Sequence, residues 1–153
     1  MTWLLQSVAK DDIRDMWGVV APLLEPAIVA TKGRTDMATA FRQLGEGATI
    51  LWVAYDDIEQ VAVAAFITRV AQYPLKRMLV VDACGGTRMG EWLDTVVGVF
   101  ESFAADSGLD GVEMYGRPGW TRALRPYGWG TTLVLCESNA VVAGKLRQEA
   151  KNF

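Results

Sequence analysis

The chain has 153 residues, 51% apolar and 22% charged, with 15 Lys and Arg against 18 Asp and Glu and a net charge of -3. That is the make-up of one folded domain with a full core, which excludes a disordered chain or one that wraps nucleic acid over its whole surface. There is no histidine, so imidazole metal sites, Ser-His-Asp and Cys-His triads and the usual neutral-pH acid/base group are excluded too.

Residues 3–8 read as a first strand. Asp11 or Asp12 then caps a helix that carries Ile13, Met16, Trp17, Val20 and Leu23 at helical spacing. Pro22 and Pro26 are expected to kink or end it. Residues 27–34 form a loop with the basic tip Lys32-Gly33-Arg34, after which Thr35 caps a second helix over 36–44, stopped by Gly45. Strong β-formers at 48–55, an acidic turn at 56–59 and a returning strand at 60–70 make a hairpin. A turn at 72–76 leads into a strand at 78–84, which completes an antiparallel meander.

Gly85-Gly86 then turns the chain into a long helix over about residues 88–106. There Trp92, Leu93, Val96, Val97, Phe100 and Phe103 share one face. A strand over 111–115 follows, and strand, helix and strand form a crossover that implies parallel pairing. A short basic turn and helix run from Gly116 to Trp129. Residues 131–136 read as a last strand. Ser138 or Asn139 caps a C-terminal helix that carries Val141, Val142 and Leu146. The expected whole is a single α/β (α+β) domain over 1–153, with a core to residue 137 and a C-terminal helix over 138–153. Its mixed twisted sheet has about six strands, with helices on both faces.

Cys84 and Cys136 lie in apolar runs without C-x-x-C spacing, so both read as buried reduced thiols, and no metal site is expected. The N-terminus lacks the basic and apolar regions of a secretory signal, and no apolar run approaches the roughly 20 residues of a membrane span. A cytoplasmic setting is expected. Two acids stand inside strands, Asp82 and Glu113, and either can serve as a base; Asp82 can equally pair with Arg69 or Lys76 on a neighbouring strand. The helix after the glycine turn aims free N–H groups and its positive dipole end at the turn, where a phosphate is welcome. Arg117, Arg122 and Arg125 form a basic run with no acid between Glu113 and Glu137, interleaved with Trp120, Tyr127 and Trp129. Such mixtures favour protein interfaces at least as much as bases, and nucleic acid is the less favoured partner.

Two local features carry a resemblance. One is Asp82-Ala83-Cys84-Gly85-Gly86-Thr87-Arg88-Met89-Gly90-Glu91-Trp92. The other is Thr121-Arg122-Ala123-Leu124-Arg125-Pro126-Tyr127-Gly128-Trp129. With the element order, they resemble the GCN5-related N-acetyltransferase (GNAT) superfamily over about residues 3–136. The run from Gly116 to Trp129 is also similar to GNAT-like proteins of tailed phages and prophages. The resemblance implies an acyl-CoA N-acyltransferase fold, with the pyrophosphate of acetyl-CoA on the backbone of Cys84, Gly85, Gly86, Thr87, Arg88, Met89 and Gly90.

This chain departs from the family in several places. Neither Gly85-x-x-Arg88 nor Thr87-x-x-Gly90 reproduces the pattern Arg/Gln-x-x-Gly-x-Gly/Ala. Bulky Glu91 and Trp92 stand where small residues let the cofactor approach. The family's thiolate-protonating tyrosine falls on Leu124, leaving Tyr127 or Tyr115 as substitutes. One strand and a helix replace the usual terminal hairpin. The primary expectation is therefore a non-catalytic interaction or assembly module, such as a phage virion component. It would use Arg117, Trp120, Arg122 and Arg125 toward a protein partner, a phage structural protein or a second copy. The alternative is an acetyl-CoA-dependent N-acetyltransferase acting on an amine through Tyr127, Asp82 and Glu113.

Overall fold

The structure is a computed structural model that describes residues 2–151; the side chains at 141–143, and with them the expected contacts of Val141 and Val142, lie outside the described residues. The chain divides into two compact units, the first ending at Trp120 and the second starting at Thr121.

Strands β1 (Trp3–Val8), β2 (Ile50–Asp56), β3 (Val61–Gln72), β4 (Arg77–Gly86) and β5 (Gly111–Met114) build one sheet of the first unit in that spatial order. The first four are antiparallel neighbours, and β5 runs parallel to β4 as the crossover implied. Among the described residues the sheet has five strands, one fewer than expected.

Alternation along the strands separates two layers. Leu51, Val53, Ala65, Ile67 and Ala83 face helices α1 (Ile13–Val29) and α2 (Met37–Glu46). Pro22 and Pro26 lie inside an unbroken α1, and residues 27–29 are helical where a loop was expected. Val20, Leu24 and Ile28, at a spacing of four, are buried against the sheet, and that packing outweighs the hydrogen bonds the prolines remove. The α2 caps also sit one or two residues later than expected. Asp36, not Thr35, accepts from the Thr39 N–H at 2.7 Å, and the left-handed Gly47 closes the helix instead of Gly45.

The opposite layer is aromatic. Trp52, Phe66 and Cys84 are cross-strand partners and share a face covered by α3 (Met89–Asp106). Phe66 meets Trp92 and Phe100 edge-on at 5.3 and 5.6 Å, and Trp52 meets Phe100 and Phe103 at 5.3 and 5.2 Å. Such pairs add about 0.5–1.5 kcal/mol each beyond their buried area. The Trp52 indole also donates to the Thr68 hydroxyl at 2.8 Å, which satisfies both groups inside the layer.

Gly85 and Gly86, expected as a turn, belong to the end of β4 and pair with Ala65 and Ala64. Close packing demands glycine at both. A Cβ on Gly85 would lie 2.0 Å from the Leu23 carbonyl oxygen of α1, and one on Gly86 would lie 2.3 Å from the Val63 carbonyl oxygen.

Helix α4 (Gly119–Leu124) carries the chain across the division. In the second unit a 3-10 turn at Arg125–Tyr127 ends on the left-handed Gly128, and the Trp129 N–H returns to the Leu124 carbonyl. Residues 131–136, expected as the sixth strand, have no strand partner among the described residues. Leu133, Val134 and Leu135 are exposed, and so is Cys136, which corrects its reading as a buried thiol. Their composition supplies strand propensity, but propensity does not make a strand without a neighbour to bond. Helix α5 (Ala140–Lys151) follows, with Leu146 exposed.

Candidate functional site

Where the pairing of β4 and β5 ends, the first unit gathers several charged side chains. That pairing runs from Met78 with Gly111 to Val81 with Met114 and then stops, apart from a 3.4 Å bond from the Tyr115 N–H to the Val81 carbonyl. β4 continues through Asp82 to Gly86 bonded only to β3. Between those two stretches lies a β-bulge: Ile67 pairs with Ala83 and Thr68 with Val81, so Asp82 is the extra residue. Bulges re-aim a side chain, and this one sets the Asp82 carboxylate toward Arg69, whose Nε donates to it at 2.7 Å.

Arg69, Val80 and Glu113 lie in one row across β3, β4 and β5. With Asp82 bonded to Arg69, this brings the two in-strand acids near one another. Glu113 accepts a short hydrogen bond from the Tyr73 hydroxyl. That bond, and a further one to Tyr115, holds the Tyr73 phenol above its ordinary range, so it stays a donor. Burial lifts the Asp82 carboxyl above its ordinary value of 3.8; Arg69 opposes the rise and the Glu113 charge adds to it. A carboxyl so placed accepts a proton more readily than a solvated aspartate does. Tyr73 was missed because nothing in the sequence of a turn residue shows that it reaches a strand forty positions on.

The glycine-rich segment divides into two halves. Cys84 and Gly85 are buried, and burial pushes the Cys84 thiol up to about 12 against the opposing charge of Arg117. That thiol is no nucleophile. Thr87, Met89 and Gly90 are exposed, and Arg88 stands at the N-cap of α3 in a left-handed conformation with φ of 61°. Its guanidinium donates to Glu91 at 2.7 and 3.1 Å, reaches the fully buried Asp56 at 3.4 Å and Glu59 at 3.7 Å, and lies over the Trp3 ring. Burial works against the charge on Asp56. The N–H groups of Ile58 and Glu59, with Arg88, more than offset it and hold that carboxyl below 3.8. Hydrogen bonds from Arg88 likewise lower Glu91. Trp92, expected to crowd the cofactor's approach, is buried against Phe66 and donates to the Thr87 carbonyl at 2.6 Å.

The remaining candidates are spread along the chain. Arg117 is exposed and Trp120 half-buried in the first unit, where the Trp120 ring folds over Gly116. Arg122 and Arg125 are exposed in the second unit, and Tyr127 is half-buried in its 3-10 turn. A cavity of about 360 Å³ lies two strands from the parting, where β1 ends and β2 begins. Among the described residues no three metal-ligating side chains cluster, and no helix is long and apolar enough to cross a membrane.

No family model and no curated protein sequence matches this chain. Solved structures are similar to it. A GCN5-related N-acetyltransferase from Ralstonia eutropha JMP134 superposes with a TM-score of 0.63 at 12% identity, over 91% of this chain and 99% of that one. A ribosomal-protein-alanine N-acetyltransferase from Brucella melitensis biovar Abortus 2308 gives 0.63 at 16% identity, over 90% and 97%. A predicted acetyltransferase from Clostridium acetobutylicum, solved with acetyl-CoA, gives 0.60 at 11% identity, over 92% and 97%. The mixed sheet, its parting strands and these likenesses establish that the chain has the fold of the GCN5-related N-acetyltransferases.

Proposed function

We propose that this protein is an N-acyltransferase that moves an acetyl group from acetyl-CoA to an amine. The observation that carries this reading is the parting of β4 and β5 past Val81 and Met114, with the bulged Asp82 carboxylate beside it. A neighbour of the same fold solved with acetyl-CoA supports it. At the helix end, the residues fit a diphosphate in their donor chemistry. The N–H groups of Met89 and Gly90, in the first turn of α3, have no acceptor within the helix. Arg88 adjoins them, and Gly90 has no neighbouring atom within 4 Å of where a Cβ would be. Met89, Gly90 and Arg88 would hold the diphosphate, with Arg88 exchanging the Glu91 carboxylate for it.

Acetyl-CoA, when bound, supplies the activated thioester. Asp82 then takes the proton from the amine as the new N–C bond forms and the C–S bond breaks. Catalysis beyond that comes from holding the reactants together. Tyr127 has no part in this assignment, and Glu113 is assigned no proton transfer. Titration with acetyl-CoA in a thermal-shift assay tests the reading. Ligand at 100 times its dissociation constant adds about 2.7 kcal/mol, and thiol release with an amine panel follows. No shift at millimolar acetyl-CoA and no thiol release would overturn it.

The second reading is an interaction or assembly module, a phage particle's included. It is supported by the exposed apolar residues Leu133, Val134 and Leu135 and by the departures around Arg88 and Leu124. Light scattering that finds a strict monomer would count against it.

A further inference from the structure

We infer that Glu113, held by Tyr73, is a specificity-determining residue that selects amines bearing a second positive charge, such as diamines and polyamines. The inference rests on the acyltransferase reading above and names its substrate class.

Charge is the starting point. Asp82 is paired with Arg69, so its charge is largely matched. Glu113 has no ion-pair partner among the described residues; its partner is the neutral phenol of Tyr73. It is half-buried in the sheet, which keeps water from screening it fully. One half-buried negative charge is therefore left over beside the parting of β4 and β5.

Geometry adds the direction. Glu113 is one residue before the last β4–β5 pair, and Asp82 is one residue beyond it. The row Arg69, Val80 and Glu113 puts Glu113 on the face of Arg69, Arg69 bonds Asp82, and the Glu113 charge acts on Asp82. Tyr115 follows the end of β5 and is 58% exposed, next to Tyr73. Phenol rings and a carboxylate together favour a cation over a neutral group. The reacting amine must be neutral to attack, so at Asp82 it carries no charge for Glu113 to recognise. A second, non-reacting ammonium does. A donor from Tyr73 orients the carboxylate and leaves its remaining lone pairs for that ammonium.

The test compares two primary amines of equal length, pentane-1,5-diamine and hexylamine, by thiol release from acetyl-CoA. The wild-type protein should favour the diamine at least tenfold in kcat/KM. Glu113→Gln should bring that preference to within about twofold, through KM, and Tyr73→Phe should reduce it in part while keeping the carboxylate. Equal use of the two amines by the wild-type protein, or a preference that survives Glu113→Gln, would overturn the inference and leave the acyltransferase reading standing. If no amine releases thiol, the acyltransferase reading fails. Glu113 is then judged by calorimetry with pentane-1,5-diamine: binding weakened tenfold or more by Glu113→Gln upholds the cation site, and no binding overturns it.

Discussion

Two carboxylates show how far environment separates residues of one type. Asp82 is raised by burial, while Asp56, fully buried, is lowered because two N–H groups and Arg88 meet it. For Asp82 the consequence is kinetic. The base must be ionised to work, so kcat should rise with pH through a value above 3.8, and Asp82→Asn should remove that limb and lower kcat by about 10²–10⁴-fold in a thiol-release assay. For Asp56 the consequence is stability. Its folded value lies below 3.8, so its contribution is fully present above that pH and is lost as pH falls through the folded value. Asp56→Asn should therefore lower Tm at pH 7, and the gap to wild type should narrow in acid. A gap that persists unchanged at pH 2 would separate Asp56 from the charge network.

Element by element, the sequence was most legible where periodicity spoke. The α3 face of Trp92, Val96 and Phe100, the antiparallel meander and the parallel β5 follow from spacing. What it could not show was why its glycines stand where they do. Gly85 and Gly86 read as a phosphate turn, yet each is forced by a backbone oxygen of α1 or β3, a contact that local sequence does not encode. Gly90, six residues past the buried Cys84, has open space around it. Gly85→Ala should therefore cost roughly 1–3 kcal/mol or more through overpacking. Gly90→Ala should be neutral or stabilise by up to about 1 kcal/mol. Chemical denaturation of the pair measures both. The same helix end carries the Glu91–Arg88 pair. A diphosphate must displace that carboxylate, so Glu91→Gln should tighten coenzyme A binding roughly three- to tenfold by calorimetry. Weaker binding would mean that Glu91 positions Arg88 for the anion instead of competing with it.

Over the whole molecule, legibility fails at residues 131–136. Thr131, Thr132, Leu133, Val134, Leu135 and Cys136 have the composition of a buried strand, but Leu133 is 86% exposed and Val134 77%. A strand is a property of two partners, and one sequence shows only one of them. Burial and ladder bonding set how rarely an amide meets water, which makes the difference measurable. Amides over residues 51–56 of β2, 64–68 of β3 and 78–81 of β4, paired on both sides within the sheet, should exchange hydrogen only through global unfolding. Those of residues 131–136 should exchange within the dead time of a manual experiment. The outer edge of β5 has no strand on it among the described residues, and it should exchange at an intermediate rate. If instead residues 131–136 and 111–114 are protected together, a strand lies on that edge. Repeating the exchange at a tenfold lower protein concentration then identifies its source: protection lost on dilution comes from a second copy, and protection retained comes from the chain's own residues 131–136.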